Sequence, residues 1–247
     1  MQAVRPAALL LIACALLAGC GSSKRSGPSF AGAAARTVAA GPAQFRLQIS
    51  INAAGTRITA EENGSAAFSG RRAHLYKQLP GSRFPQELVI LGPITYTNAN
   101  VQAALADPTV QPWTRLDTRK LTAKQRSAQP DELAHVIAPA YLSEGVATSK
   151  ERGKEADGTY RFTGVVDPAR LARRAPASIM TAVRNDYPPQ PFPATFWLDG
   201  QGRLSRVLVD YTTPKGTKLT LDTVYSEYGA KLDLSLPDPA KIKDITP

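Results

Sequence analysis

The feature that most constrains this fold is a period-2 alternation of apolar and polar residues near both ends of the chain. Phe45, Leu47, Ile49 and Ile51 alternate with Arg46, Gln48 and Ser50. Far downstream, Val207, Val209 and Tyr211 share one face with Leu204 and Leu208 on the other, and Leu219, Leu221, Thr223 and Tyr225 repeat the pattern. Successive side chains of a strand point to opposite faces, so this pattern marks a sheet with one covered face. The connections are short and rich in turn formers, as in Asn52-Ala53-Ala54-Gly55, Pro80-Gly81, Asp199-Gly200-Gln201-Gly202 and Pro214-Lys215-Gly216. Gaps of that length join antiparallel neighbours, because a parallel crossover needs a dozen residues or more.

The rest of the chain supplies more strands and two helical interruptions. An Ala-rich segment, Phe30 to Ala40, predicts a short helix stopped by Gly41-Pro42. Extended segments follow at 44–51, 57–60, 64–69, 72–79, 86–91 and 94–97, then a short one within 110–117. Residues 118–129 are polar and hold Arg119, Lys120, Lys124 and Arg126. Pro130 opens a helix whose apolar stripe is Leu133, Val136, Ile137, Tyr141 and Leu142; Pro139 should kink it or end it early. Val146 to Ser149 is extended, 150–158 reads as a charged turn, and 159–166 as a strand. Asp167-Pro168 then caps a helix running to about Arg184, broken at Pro176. Strands at 194–198, 203–211 and 218–228 complete the pattern. Leu232, Leu234 and Leu236 alternate before Pro237, and residues 238–247 form a covering tail.

The expected class is therefore α+β: a long antiparallel sheet of about ten strands, curved because flat sheets of that width are rare, with the helices across its concave face. Curvature of that kind should enclose apolar volume between the two layers.

The first twenty residues have a separate logic. Arg5 precedes an apolar run, Ala7 to Leu17, closed by Leu17-Ala18-Gly19-Cys20. The run is shorter than the roughly 18–20 residues that span a bilayer, and a polar Gly/Ser/Lys/Arg/Pro stretch follows it, so it reads as an export signal. The alternative is an ordinary secreted protein in which Cys20 is incidental. The expected organisation is residues 1–19 as signal, 20–30 as tether and 31–247 as one domain. Cys14 departs with the signal, so no disulfide can form in the remaining chain.

Lys and Arg outnumber Asp and Glu by 30 to 20. Export argues against a nucleic-acid partner. The basic residues also lack the interleaved aromatics of a base-stacking platform. A basic surface suits a protein held near anionic headgroups, and equally a merely well-solvated one.

Chemistry-bearing patterns are scarce. His74 and His135 are the only imidazoles, and no third ligand stands at zinc spacing. There is no Gly-x-Ser-x-Gly elbow, and Gly200-Gln201-Gly202 sits in a hairpin rather than before a helix. Glu61-Glu62 and Glu151/Glu155 read as solvated pairs. Arg170, Arg173 and Arg174 read as a solvated helix face that would reach a phosphate-bearing headgroup only at a cavity mouth. No cofactor, metal or enzymatic reaction is expected.

Several motifs, taken in order, resemble a known family. The Leu-Ala-Gly-Cys quartet resembles the lipobox of bacterial lipoprotein precursors. After it come the Trp113 region, the helix opening at Pro130, Tyr160-Arg161-Phe162-Thr163-Gly164-Val165-Val166-Asp167 leading into a helix, and Phe196-Trp197-Leu198-Asp199-Gly200-Gln201-Gly202-Arg203. Together they resemble actinobacterial lipoproteins of the LppX/LprG type, which share the half-barrel of the lipoprotein carrier LolA, over residues 30–247. The resemblance implies lipidation of Cys20, anchorage at the extracytoplasmic face of the bacterial cell membrane and an unclosed half-barrel of eleven strands. It also implies a hydrophobic cavity that binds or carries an acylated lipid or lipoglycan. Leu133, Val136, Ile137, Leu171, Ile179 and Val183 from the helices would face Phe162, Phe196, Val207, Val209 and Leu221 from the sheet. The other reading is a non-enzymatic accessory lipoprotein with a closed core that docks onto an envelope protein partner, including an envelope transport protein.

Overall fold

The computed structural model describes residues 27–98, 101–107, 109–129 and 131–247. Their centre is one sheet of twelve strands: β1 (Ala43–Ala53), β2 (Thr56–Ala67), β3 (Arg72–Gln78), β4 (Gln86–Leu91), β5 (Ile94–Asn98), β6 (Trp113–Asp117), β7 (Val146–Lys154), β8 (Tyr160–Val166), β9 (Phe192–Leu198), β10 (Leu204–Thr212), β11 (Lys218–Ser226) and β12 (Ile242–Asp244). The order is β12-β6-β5-β4-β3-β2-β1-β11-β10-β9-β8-β7, open at both ends. Every pairing is antiparallel except β12 with β6. The sheet thus joins the early and late strands through β1 and β11, whose register sets Phe45 opposite Tyr225, Leu47 opposite Thr223 and Ile49 opposite Leu221. The alternating residues of both strands fall on one face, as the sequence predicts.

That face carries the helices α1 (Ala33–Ala39), α4 (Glu132–Tyr141), α5 (Pro168–Ala172) and α6 (Ala177–Asp186). Two short ones, α2 (Val101–Ala106) and α3 (Ala123–Ser127), flank β6 in the chain. α4 touches both β2 and β10, so it lies across the concave face and packs along α6. The architecture is the expected α+β one, an unclosed curved sheet with helices in its hollow. Among the described residues no helix is long and apolar enough to cross a membrane.

α1 is stitched to the late hairpin by polar side chains. The buried Thr37 hydroxyl donates to the Ala33 carbonyl at 2.8 Å and accepts the Leu204 N–H at 2.9 Å. Arg36 Nε donates to the Gly202 carbonyl at 3.0 Å. Gly202 has φ 76°, and a Cβ there would lie 2.7 Å from the Arg36 guanidinium, so glycine serves both the turn and the contact.

Several elements depart from expectation. The stretch 64–69 continues the strand begun at 57–60 rather than opening a new one, and the strand, β2, ends at Ala67. The charged stretch after Ser149 stays in β7 as far as Lys154, with register shifts between Val146 and Ser149 and between Glu151 and Gly153. Charge and bulges on a strand are how a sheet edge resists further pairing, and β7 is an edge. Leu204 is buried with Val207 rather than facing away from it, because a bulge between Leu204 and Arg206 reverses the phase. Pro139 does not end α4 at once; it sits within the last helical turn, and a 3₁₀ turn, Leu142–Gly145, follows. Pro176 does separate α5 from α6. In the covering tail, β12 adds a three-residue parallel edge to β6.

Candidate functional site

The concave face is the natural place to look for a binding site, and the residues expected to line one converge there. Leu133, Val136, Ile137, Leu171, Ile179, Val183, Phe162, Phe196, Val207, Val209 and Leu221 all belong to one contiguous core, none more than 8% exposed. Helical and strand side chains interdigitate. Phe30, at the end of the expected tether, also enters, its ring 5.3 Å from Phe162 and 5.2 Å from Phe196. Tyr225, wholly enclosed, reaches from β11 to donate its hydroxyl to the Val136 carbonyl at 3.2 Å. Leu133, Ile137 and Ile179 border a cleft of ≈ 110 Å³ with Phe68, Tyr141 and Pro176. Ligand sites for small molecules run to about 300–1,000 Å³. In this state, then, protein side chains occupy the space beneath the helices.

Beyond the helices the apolar row continues. Ile49 and Ile51 on β1, Leu219 on β11, Tyr211 on β10 and Ile58 on β2 follow the same concave phase, since Ile51 pairs with both Ile58 and Leu219, and Tyr211 pairs with Leu219. Ile49, Tyr211 and Leu219 pack partly against the core, while Ile58 is 49% exposed. The strands are longer than the helical cover, and their distal ends leave an apolar shelf open to the hollow.

At the side of the helices lies a feature the sequence reading did not identify. The β2–β3 register sets Glu62 opposite Lys77, both on the concave side. Glu132 and His135, three residues apart on α4, point the same way, and Asp186 closes α6 beside them. Lys77 Nζ lies 3.1 Å from Glu62 and 2.7 Å from Glu132. His135 Nδ1 is 2.6 Å from Asp186, and its Nε2 faces Glu62 at 3.8 Å. Because an ionised carboxylate only accepts, Nδ1 carries the proton. Glu62, expected to be solvated, is buried at 2% exposure. Its position held the signal: Ile58, Ala60, Glu62, Gly64 and Ala66 share one strand phase, so Glu62 occupies an otherwise inward row.

The electrostatics of this cluster are balanced. Burial alone would lower the His135 pKa, but the hydrogen bond to Asp186 and the charges of Glu62 and Asp186 raise it on balance, with Lys77 opposing. Lys77 is likewise raised: burial pulls it down, and Glu62 and Glu132 more than offset that. A cleft of ≈ 370 Å³ opens onto Lys77, Glu132, His135 and Asp186, with Arg126 at its edge. The second nitrogen of His135 meets a carboxylate, not a hydroxyl or thiol nucleophile. The arrangement clamps α4 to α6 and both to the sheet.

His74 lies on the convex face. Its Nε2 is 2.7 Å from Glu87 and its Nδ1 3.2 Å from the Asp233 carbonyl, which ties the C-terminal segment across the sheet. Arg174 reaches Glu144 at 3.4 Å. Among the described residues no group of three or more His, Cys, Asp or Glu side chains is placed to hold a metal ion. Cys20 and the rest of the Leu-Ala-Gly-Cys quartet lie outside the described residues, as does Pro130.

No protein-family model matches the chain, and no curated protein sequence matches it. Among solved structures it is similar to an uncharacterised conserved protein from Thermus thermophilus, at 12% identity and a TM-score of 0.36, over 85% of this chain and 94% of that one. It is similar to a chain of the Pseudomonas aeruginosa MucA/MucB complex at 16% identity and a TM-score of 0.35, covering 82% of this chain and 59% of that one. A LolA superfamily protein from Nitrosomonas europaea is matched at 13% identity and a TM-score of 0.34, over 82% of this chain and 90% of that one. All three likenesses are distant.

Proposed function

We propose that this chain is a non-enzymatic, lipid-anchored protein of the cell envelope that binds an acylated lipid on the concave face of its sheet. The observation that carries the reading is the open apolar shelf of Ile49, Ile51, Ile58, Tyr211 and Leu219, continuous with the core under α4 and α6. Acyl chains laid there would be held by burial, at roughly 25 cal/mol per Å² of apolar surface removed from water, without any ionisable group. The helices act as a cover over the remainder of the hollow. Access beneath them requires the Glu62–Lys77–Glu132–His135–Asp186 clamp to yield. The lipobox-like quartet supplies the anchor, through Cys20, at the extracytoplasmic face of the membrane.

A second reading has its own support. The packing of all eleven expected cavity residues into one core favours an accessory protein with a closed interior that docks onto an envelope protein.

Native mass spectrometry and lipid extraction of the full chain separate the two. Carriage predicts a co-purified or exchangeable diacylated species. Ile58→Lys, placed on the exposed shelf where it need not disturb the core, should weaken uptake at least tenfold with little change in unfolding midpoint. Lipid-free protein that takes up no diacylated ligand would leave the docking reading.

A further inference from the structure

Residues 118–129 carry four cations and no carboxylate, and the fold gives them a specific place. They follow β6, beside the Phe68–Arg71 turn between β2 and β3 and the Gly92–Pro93 turn between β4 and β5. Arg71, Pro93, Thr118, Arg119 and Arg126 border an open groove of ≈ 490 Å³.

The segment is held in one shape. Asp117 accepts the Arg119 N–H at 3.1 Å and takes its guanidinium at 2.9 and 2.6 Å. That contact holds the Asp117 carboxyl well below the usual carboxylate range. The Thr118 N–H and hydroxyl both donate to the Pro93 carbonyl, at 2.9 and 3.0 Å. Thr122 and Gln125 close a capping box on α3, Leu121 is buried, and Arg126 donates to the Leu121 carbonyl at 3.0 Å.

Of the six cations Arg71, Arg72, Arg119, Lys120, Lys124 and Arg126 around this groove, Arg119 is matched by Asp117 and Arg71 by Asp131 at 2.7 Å. Among the described residues no ion pair forms at Arg72, Lys120, Lys124 or Arg126. These four project from an ordered rim with their charge unspent.

The described chain begins at this same end of the sheet. Gly27 stands against the Tyr160 ring, close enough that a Cβ would lie 2.5 Å from it. Tyr160 opens β8 and pairs with Leu198, which pairs with Leu204. The register across β11, β1 and β2 carries that end of the sheet on to the Phe68–Arg71 turn and Arg72 at the start of β3. Seven residue steps separate Cys20 from Gly27, a reach of about 25 Å at most when fully extended. An anchor on Cys20 therefore keeps this end near the bilayer. Screened attraction acts over about 8–10 Å.

We propose that this end of the sheet is a membrane-facing surface that binds anionic phospholipid headgroups through Arg72, Lys120, Lys124 and Arg126. The proposal rests on the lipid-anchor reading for its geometry, and not on lipid carriage by the concave face. Its charge orients the anchored domain, with the rim against the headgroups and the strand tips outward.

The test uses the full chain with Cys20→Ser, which removes the acylation site, and vesicles of phosphatidylcholine with or without 30% phosphatidylglycerol, on the order of a bacterial surface charge. The zwitterionic vesicles record whatever the apolar leader contributes. Partition into the anionic vesicles should exceed partition into the neutral ones and fall steeply between 50 and 300 mM salt, roughly a change from 14 to 6 Å in screening length. Lys120→Gln/Lys124→Gln/Arg126→Gln should reduce the anionic excess at least tenfold. Arg57→Gln/Lys215→Gln, which removes the same kind of charge at the opposite strand tips, should change it less than twofold.

Equal partition into both vesicle types would overturn the proposal and leave the rim to an acidic protein surface. Equal losses in the rim and tip variants would also overturn it, reducing the effect to net charge. Circular dichroism of both variants excludes unfolding as the cause of a loss. Intact mass of the unmodified chain reads Cys20 acylation separately, so a failed anchor and a failed rim are distinguishable.

Discussion

His135 on α4 donates its Nδ1–H in a hydrogen bond to the Asp186 carboxylate at the end of α6 across 2.6 Å, and so fastens together the two helices that cover the concave face. The same imidazole turns its other nitrogen to Glu62 on β2, which shares Lys77 with Glu132. Two helices and two strands therefore meet in one charge cluster beside an otherwise apolar interface. Removing one partner from such a cluster is costlier than never having built it, because a buried charge is left uncompensated.

The first prediction concerns pH. His135 has its pKa raised in the folded protein, against burial, by Asp186 and Glu62. A raised folded value means that its contribution to stability is complete below the unfolded histidine pKa of about 6.5 and disappears as pH climbs through the folded value. The unfolding midpoint of the wild type should fall as pH rises from about 6.5 through that range. His135→Gln should flatten this fall. An unchanged slope in the variant would assign the pH dependence to another group.

A double-mutant cycle tests the clamp. Lys77→Met strands the enclosed Glu62 and should cost about 3 kcal/mol, in the range for breaking a buried pair. Lys77→Met/Glu62→Leu removes both charges from neighbouring strands and should recover most of that loss. If the two substitutions cost the sum of their separate effects in chemical denaturation, the pair is not coupled.

Gly64 sits in β2 between Glu62 and Ala66 with φ 145°, and a Cβ there would lie 2.0 Å from the His74 carbonyl oxygen of the facing strand. A backbone atom cannot rotate away as a side chain can. Gly64→Ala should therefore cost more than the roughly 1–3 kcal/mol of ordinary overpacking and disturb β2–β3 pairing near Leu75. Gly41→Ala, also at positive φ but with open space around it, gives the conformational cost alone and should be milder.

What the sequence disclosed and what it hid follow from the range of each signal. Phe45 to Ile51 and Leu219 to Tyr225 announced their strands because a covered face writes itself into every second residue. Leu204 faces inward against its sequence phase because a bulge is a property of pairing, set by the neighbour at Leu198 and Trp197. The Lys150–Lys154 stretch read as a turn because an edge strand needs charge, the composition of a loop. Glu62 was legible in principle from its phase between Ala60 and Gly64, but its partners Lys77, Glu132 and Asp186 come from three other elements. Only the fold brings them together. The eleven expected cavity residues were found where the helices meet the sheet, whereas the open shelf at Ile58 depends on relative element lengths that periodicity does not report.

The anchor is tested at Cys20. Membrane-extracted full chain should have a mature N-terminus at a diacylated or triacylated Cys20, and Cys20→Ser should move it out of the membrane fraction. One acyl chain gives only marginal binding, while several hold firmly at about 0.8 kcal/mol per buried CH₂. Intact-mass analysis reads the number of chains directly, and any other mature terminus would remove the anchor from the functional reading.

The last prediction is that residues 31–247 unfold as one unit. β1 pairs with β11 along nine register positions, from Gln44–Ser226 to Asn52–Lys218, so the early and late halves of the chain share the middle of one sheet. Phe45, Leu47 and Tyr225 lie in the same core as Phe196 and Val183. A break within residues 118–129 would therefore leave β1–β6 without α4, α5 and α6, and β7–β12 without α1 and their central partner β1. Limited proteolysis should trim the N-terminal segment first and leave a single product. A nick in 118–129 should leave the pieces associated under native conditions and unfold both together. Chemical denaturation followed by Trp113 in β6 and Trp197 in β9, each retained singly by Trp→Phe replacement of the other, should give coincident transitions. Separated midpoints would show that the β3–β6 side of the sheet is an independent unit.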